Sequence, residues 1–389
     1  MIRRVWGTLR RLCSGPRVRR LFDIVLESDN ARSVTKRALL SYIVHPFFIT
    51  RKDPCFFNHI NIWHAQEIVR VLNHLGYSVD VVDYTDRDFL PERRYDLFIG
   101  HGGINTETIL SHLPARAARI YFSTGCYWRF HNEQECARLD ALRRRRGVFL
   151  HPDRFIHHSE EEALVSSHGI VGIGNGFTRK TYSRFSPAVM INGTSLADDR
   201  YERIDKDFGE GRGHFLYFAG NGPVHKGLDL LLEAFSGLPQ HLWICTRLDQ
   251  PFEDAYFDEL HHRPNIHLEG VVRPRSDRFY ALTDQCAFVI LPSCSEGQAQ
   301  SVVECMNQGL IPVVSRACGL DIDRHGVLID PCTIDEIVRL IKDLSAWPAT
   351  MCREMAQKAR TIAIKDYSEG AFRQNIRRAI EEILVQKGN

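Results

Sequence analysis

The 389 residues contain no apolar run near the roughly 20 positions that a membrane-crossing helix needs. The start of the chain has no uninterrupted apolar core of the signal-peptide kind. There is no C-x-x-C pair, and the eleven cysteines are odd in number and scattered singly. A secreted disulfide framework would look different, so reduced thiols and a cytoplasmic compartment are expected. Net charge is almost absent at +2, which argues against a nucleic-acid binder. No G-x-x-x-x-G-K-[ST] phosphate loop occurs. The glycine-rich stretch Gly172-Ile173-Gly174-Asn175-Gly176 lacks the G-x-G-x-x-G order and is not expected to have the strand–helix frame of a nicotinamide site. The pairs His59/His64 and His157/His158 have no carboxylate or cysteine at ligand spacing, so no metal is expected. Internal repeats and low-complexity segments are missing too.

What is present begins with an unusual N-terminus. Residues 1–22 carry Arg3, Arg4, Arg10, Arg11, Arg17, Arg19 and Arg20, with no acid before Asp23. Ile2, Val5, Trp6, Leu9, Leu12 and Cys13 recur at helical spacing, giving an apolar stripe opposite an arginine-rich face. Such a helix suits an anionic membrane surface. The same pattern suits a helix docked on the protein itself or, as a third option, a mitochondrial-type transit segment.

The body alternates between short apolar runs and helical periodicity. Residues 39–48, 78–84, 95–103, 119–125 and 188–194 read as strands, with helices at 61–77, 106–113 and 135–147. A polar, glycine-bearing stretch at 195–214 reads as a linker. Alternation resumes with strands at 214–220, 241–246, 265–272, 286–292, 310–315 and 326–330. Helices are read at 228–238, 333–345 and 350–387. Two such runs imply two parallel-sheet α/β domains, with ligand in the cleft beyond the strands' carboxyl ends. The expected division is a basic segment 1–26, a first domain 38–197, a linker 198–213 and a second domain 214–365.

The most informative stretch is Ser293-Cys-Ser-Glu-Gly-Gln-Ala-Gln-Ser301, between a strand ending at Pro292 and a helix closed by Gly309. Glu296 lies in the strand-end loop. Gln300 and Ser301 lie near the helix N-terminus, where free amides and the helix dipole favour an anion. Glu304, about one turn in, can accept hydrogen bonds from paired ribose hydroxyls. Both glutamates also fit a bland reading as solvated surface residues.

Pro292-Ser293…Ser295-Glu296-Gly297…Val303-Glu304…Gly309…Pro312-Val313-Val314 resembles the E-x7-E signature of retaining glycosyltransferases of the GT-B fold, family 4 or group 1. His225-Lys226-Gly227-Leu228…Ala234-Phe235, Asn192-Gly193 and the strand Gly76–Val82 resemble further family stretches in the same order. Asp366-Tyr367-Ser368 resembles the start of the family's last helix, implying that 366–389 cross back to the first domain. The match covers roughly residues 38–385 and is specific only in the second half. It implies two Rossmann-like domains facing a cleft. It also implies a nucleotide-sugar donor used as substrate, with no cofactor.

Carried over, Glu296 faces the donor sugar and Lys226 neutralises the leaving diphosphate. Glu304 holds the ribose, and Gly220, Asn221, Gly297, Gln298, Ala299, Gln300 and Ser301 line the donor site. Two departures stand out. The family usually has arginine five residues before the lysine, where this chain has Asn221. The expected strand-end histidine is replaced by Ser123 or Thr124, leaving His131 or His101 as substitutes or as structural histidines. Asn58, His59 and Asn61 sit where they could touch donor or acceptor, or simply cap a helix.

The resulting expectation is a metal-independent retaining transferase acting on a glycan or lipid-linked glycan, cytoplasmic and peripheral to the inner membrane face. A catalytically inactive sugar-nucleotide binder and another GT-B enzyme, such as an epimerase or phosphorylase, are the alternatives.

Overall fold

The computed structural model describes residues 19–26, 35–53, 55–195 and 206–388. Two sheets form the frame. The first contains β1 (Arg20–Ile24), β2 (Lys36–Tyr42), β3 (Tyr77–Asp83), β4 (Leu97–Gly100), β5 (Ala118–Ser123), β6 (Gly169–Ile173) and β7 (Ala188–Ile191), ordered β1-β3-β2-β4-β5-β6-β7. The second contains β8 (His214–Phe218), β9 (His241–Cys245), β10 (Ile266–Gly270), β11 (Phe288–Leu291), β12 (Ile311–Ser315) and β13 (Val327–Ile329), ordered β10-β9-β8-β11-β12-β13. Every pairing is parallel except β1 with β3. Helices cover both faces, so the central strands bury both sides and read as unbroken apolar runs. No helix of the described residues is long and apolar enough to cross a membrane.

The helices that matter for the site are α1 (Ile60–His74), α2 (Trp128–Arg146), α3 (Leu228–Phe235), α4 (Gln300–Asn307), α5 (Ala349–Asp366) and α6 (Glu369–Gly388). After α5, Tyr367 and Ser368 break the helix and the chain returns to the first domain. Phe372, Ile376, Ala379, Ile380 and Ile383 of α6 recur on one helical face and are buried in the first core. The absence of a side chain at Gly169 makes this possible, since a Cβ there would lie 2.6 Å from Ile383 Cγ1.

Four expectations need correction. Residues 1–18, which carry the proposed amphipathic helix, lie outside the described residues. The described end of that segment is a strand, with Leu21 and Ile24 packed on the first core and Arg20 Nε donating to Asp86 at 2.7 Å. A helix through residue 22 is therefore wrong, because pairing with β3 satisfies that backbone instead. The run 39–48 is not one strand: β2 stops at Tyr42, and Pro46 starts a short 3-10 turn, His45–Phe48. The linker does not extend to 213. Phe208 is fully buried in the second core, and the buried Lys206 ammonium donates to the Thr283 and Cys286 carbonyls at 2.6 and 3.1 Å. Gly172–Gly176 does lie between a strand, β6, and a short helix, Gly176–Thr181, whose N-cap Asn175 accepts from Phe177 N at 3.0 Å.

Helix α2 starts seven residues before the expected position and belongs to both domains. Trp128 and Phe130 pack with the first domain's Tyr121, Tyr127 and Tyr182. Further along, Leu142 is fully buried in the second domain's core, with Leu139 and Leu150 beside it. Arg138 donates to Pro292 O at 2.8 Å, and Arg145 pairs with buried Asp229 at 2.6 Å. With its faces used on two domains, α2 shows no single apolar stripe, which hides its first turns in the sequence. Gly147, at φ 70°, ends it.

Candidate active site

The second sheet reverses its strand order between β8 and β11. Loops leaving the carboxyl ends of these neighbours must diverge, which opens a crevice at the switch point. The two loops there are 219–227 and 292–299, the stretches that hold Lys226 and Glu296. Gly227, at φ 75°, lets them approach, since a Cβ there would lie 2.5 Å from Pro292 O. The first sheet reverses between β2 and β4, so the loop ending in His59 faces the same crevice. Between the domains lies a cavity of about 630 Å³.

At its centre Lys226 Nζ and a Glu296 carboxylate oxygen form an ion pair, both side chains nearly buried. Ser293 Oγ donates to the same carboxylate oxygen at 2.9 Å. Burial alone would raise the Glu296 pKa, but the nearby cations Lys226 and Arg154 outweigh it and hold the group at about 2. Glu296 is therefore an anion at neutral pH. It can accept hydrogen bonds and stabilise positive charge, and it has no proton to donate. Glu304 lines the far wall from α4, with Ser195 Oγ donating to it at 3.3 Å.

Most donor-site candidates line this cavity: Gly220, Asn221, Lys226, Glu296, Gln298, Ala299, Gln300, Ser301 and Glu304. The details differ from expectation. The Ala299 amide already donates to Cys318 O at 2.8 Å, so it offers nothing to an anion. The Gln298 side chain ties the domains together, accepting from Gly193 N at 2.8 Å and donating to Asn192 Oδ1 at 3.0 Å. Gly297 does not line the cavity. It is a contact point between domains, where a Cβ would meet Thr124 O at 2.5 Å and Ile173 O at 2.7 Å. Thr178 Oγ1 also donates to Gly297 O at 2.8 Å. The strand–turn–helix at Gly172–Gly176 thus serves to seat the 292–299 loop.

On the first-domain side, His59, Asn61 and Thr124 line the cavity. His59 Nδ1 caps α1 by accepting from Asn61 N at 3.2 Å. Desolvation, then Arg154 and Lys226, keep that ring neutral. Asn58 falls in a short 3-10 turn, and its side chain is outside the described set. His101 is not a lining residue. Its Nδ1 meets Phe122 O at 2.8 Å and its Nε2 meets Thr124 Oγ1 at 3.4 Å, so it sits behind Thr124. Ser123 is likewise internal, sharing hydrogen bonds with Gly125 O and Tyr182 OH.

The choice of His131 as a catalytic histidine is corrected. It lies behind the cavity wall, with Nε2 at 2.8 Å from Arg154 O, and burial holds its pKa near 4. His131, Glu135 and His225 place ligand-type atoms within 4.8 Å of one another, the one such grouping among the described residues. Glu135 Oε1 there accepts the amides of Asp153 and Arg154 at 2.9 and 2.8 Å. Sequence reasoning misses Arg154 altogether, along with Arg247, Arg273 and Arg275, which also line the cavity. Arg154 follows α2 by a short loop, and no local motif marks it.

Comparison with known proteins agrees with this geometry. Residues 213–346, most of the second domain, match the family described as glycosyl transferases group 1, and the two-sheet architecture is that of the GT-B fold. A search of curated proteins finds no match. Among solved structures, sucrose-phosphate synthase from Thermosynechococcus elongatus is similar at TM-score 0.61 and 12% identity, covering 90% of this chain and 100% of that one. WaaG, a glycosyltransferase involved in lipopolysaccharide biosynthesis, gives 0.57 and 14%, with 87% and 98% covered. A point mutant of S. aureus TarM, in complex with Fondaparinux, alpha-GlcNAc-glycerol and UDP, gives 0.51 and 14%, with 75% of this chain covered. The present chain spans only 55% of that TarM chain. At these identities the likeness is one of fold.

Proposed function

We propose that this protein transfers a sugar from a nucleoside diphosphate sugar to an acceptor hydroxyl, with retention of anomeric configuration and without a metal. One observation carries the reading. At the switch point a buried ammonium and a carboxylate ionised at neutral pH stand together, and a second glutamate, from α4, faces the same cavity. Departure of the nucleoside diphosphate builds negative charge, which on this reading Lys226 stabilises. The sugar left behind gains positive charge at its anomeric carbon, which an anionic Glu296 favours. Glu304, which lines the same cavity, is on this reading the acceptor of the ribose hydroxyls. UDP in the TarM complex supports a nucleoside diphosphate as the class of ligand.

The lipopolysaccharide role of WaaG and the arginine-rich stretch 1–18 together favour a lipid-linked glycan as acceptor, met at an anionic membrane surface on the cytoplasmic side.

A panel of UDP-, GDP- and dTDP-sugars, scored for nucleoside diphosphate release, tests the transferase reading. Turnover of one donor should fall at least a hundredfold in Glu296→Gln while its nucleoside diphosphate still binds. Binding without turnover in the wild type would instead identify an inactive sugar-nucleotide binder. Indifference to Glu296→Gln would remove the proposed mechanism.

A further inference from the structure

Asn221 stands where the resemblance calls for a second cation beside Lys226, and Lys226 is itself paired with Glu296. A diphosphate at this loop would therefore meet one partly engaged ammonium. Another cation does reach the place, from the opposite half of the chain. The stem of Arg154 crosses directly over Gly222: a Cβ at Gly222 would lie 2.6 Å from Arg154 Cγ and 3.0 Å from Cδ. Arg154 lines the same cavity as Asn221 and Lys226. Its Nε is buried and has no hydrogen-bond partner among the described residues.

Its mount is rigid. The Arg154 amide donates to Glu135 Oε1 at 2.8 Å, and its carbonyl meets His131 Nε2 at 2.8 Å. Asn132 clamps the next turn from both sides, accepting from Ile156 N at 2.8 Å and donating to Ile156 O at 2.9 Å. Three residues on one face of α2 thus hold the segment 153–156. The end of α2 is in turn anchored in the second core by Leu142. The guanidinium also acts on the site electrically, being one of the cations that depress the Glu296 pKa.

We propose that Arg154, delivered by α2, is the second diphosphate-binding cation that position 221 lacks, an inference that rests on the nucleotide-sugar reading above. His131 and Glu135 are then positioning residues for Arg154. Gly222 is needed both for its φ of 92° and to let the arginine stem pass. A planar guanidinium can meet two phosphate oxygens at once, which the ammonium of Lys226 cannot.

The test is a rescue. Calorimetric titration with UDP, GDP, dTDP and inorganic pyrophosphate compares the wild type, Arg154→Gln and the double variant Arg154→Gln/Asn221→Arg. Arg154→Gln should weaken the bound nucleoside diphosphate and pyrophosphate at least tenfold. It should also flatten the salt dependence of that binding. The double variant should regain most of the loss, which restoring a merely structural arginine's packing could not do. Arg154→Lys should fold as the wild type and keep more affinity than Arg154→Gln. Affinity within twofold of wild type in Arg154→Gln, or no recovery in the double variant, overturns the inference alone. A wild type that binds none of the four probes overturns the nucleotide-sugar reading, and this inference with it.

Discussion

Replacing Lys226 by methionine removes the ammonium while keeping the length of the side chain. It leaves Glu296 as a buried anion facing one hydroxyl, from Ser293, and one remaining cation, Arg154. Two routes give the size of the effect. A carboxyl held at about 2 instead of its ordinary 4.5 contributes about 3 kcal/mol at neutral pH. Independently, removing one member of a buried ion pair typically costs ~3–5 kcal/mol. Lys226→Met should therefore lose about 3 kcal/mol in urea unfolding at pH 7, with an unchanged m-value. Because the folded pKa is depressed, this stability is fully present above the unfolded value near 4.5 and is lost as the pH falls towards 2. Wild-type stability should drop across that window, and the variant's should drop less. The double variant Lys226→Met/Glu296→Gln should recover most of the loss, since no uncompensated charge remains. A loss under about 1 kcal/mol, or a double variant as unstable as the two singles combined, would refute the electrostatic reasoning.

Other expectations follow from neighbouring residues. Glu304→Ala should weaken nucleoside diphosphate binding about tenfold and leave pyrophosphate binding unchanged, given the ribose-binding role proposed for Glu304; calorimetry with both probes checks this. Leu142→Ala should cost about 2–5 kcal/mol in denaturant. It should also weaken pyrophosphate binding, because the cavity loosens the seating of α2, whose first half holds the Arg154 segment. Gly222→Val should abolish high-affinity diphosphate binding, from strain at positive φ and displacement of the Arg154 stem, with Tm and titration measured together. Removing residues 1–18, but not β1, should abolish binding to anionic liposomes while leaving the fold and Tm intact; persistence of binding would sink the membrane-helix idea.

The second domain is largely legible in the sequence because its signals are local. Apolar runs mark the strands from Phe215 to Val314, and the loop–helix grammar around Glu296 and Glu304 sits within a single strand–helix unit. The site's other half comes from residues distant in sequence, which periodicity does not connect. Helix α2 escapes because Trp128, Phe130, Leu139 and Leu142 face different domains and so never form one stripe. Arg154 escapes for the same reason, since its place is set by His131, Asn132 and Glu135 holding its backbone. His131 invites a chemical reading because it is a histidine near a cleft, yet its ring nitrogen is spent on a carbonyl. Gln298 and Gly297 resemble donor contacts, and both instead join the domains, a role that only the packing of the two domains reveals.

The central claim is that the cleft between the domains binds a nucleoside diphosphate sugar. Thermal unfolding of the full chain with and without UDP-, GDP- and dTDP-sugars tests it most directly, because a ligand bound only by the folded state raises stability by about 2.7 kcal/mol at a hundredfold excess over Kd. A clear rise in Tm with one donor class, lost in Lys226→Met/Arg154→Gln measured against its own unliganded Tm, is the predicted result. No shift with any of the donors, in a chain that unfolds cooperatively, would contradict it.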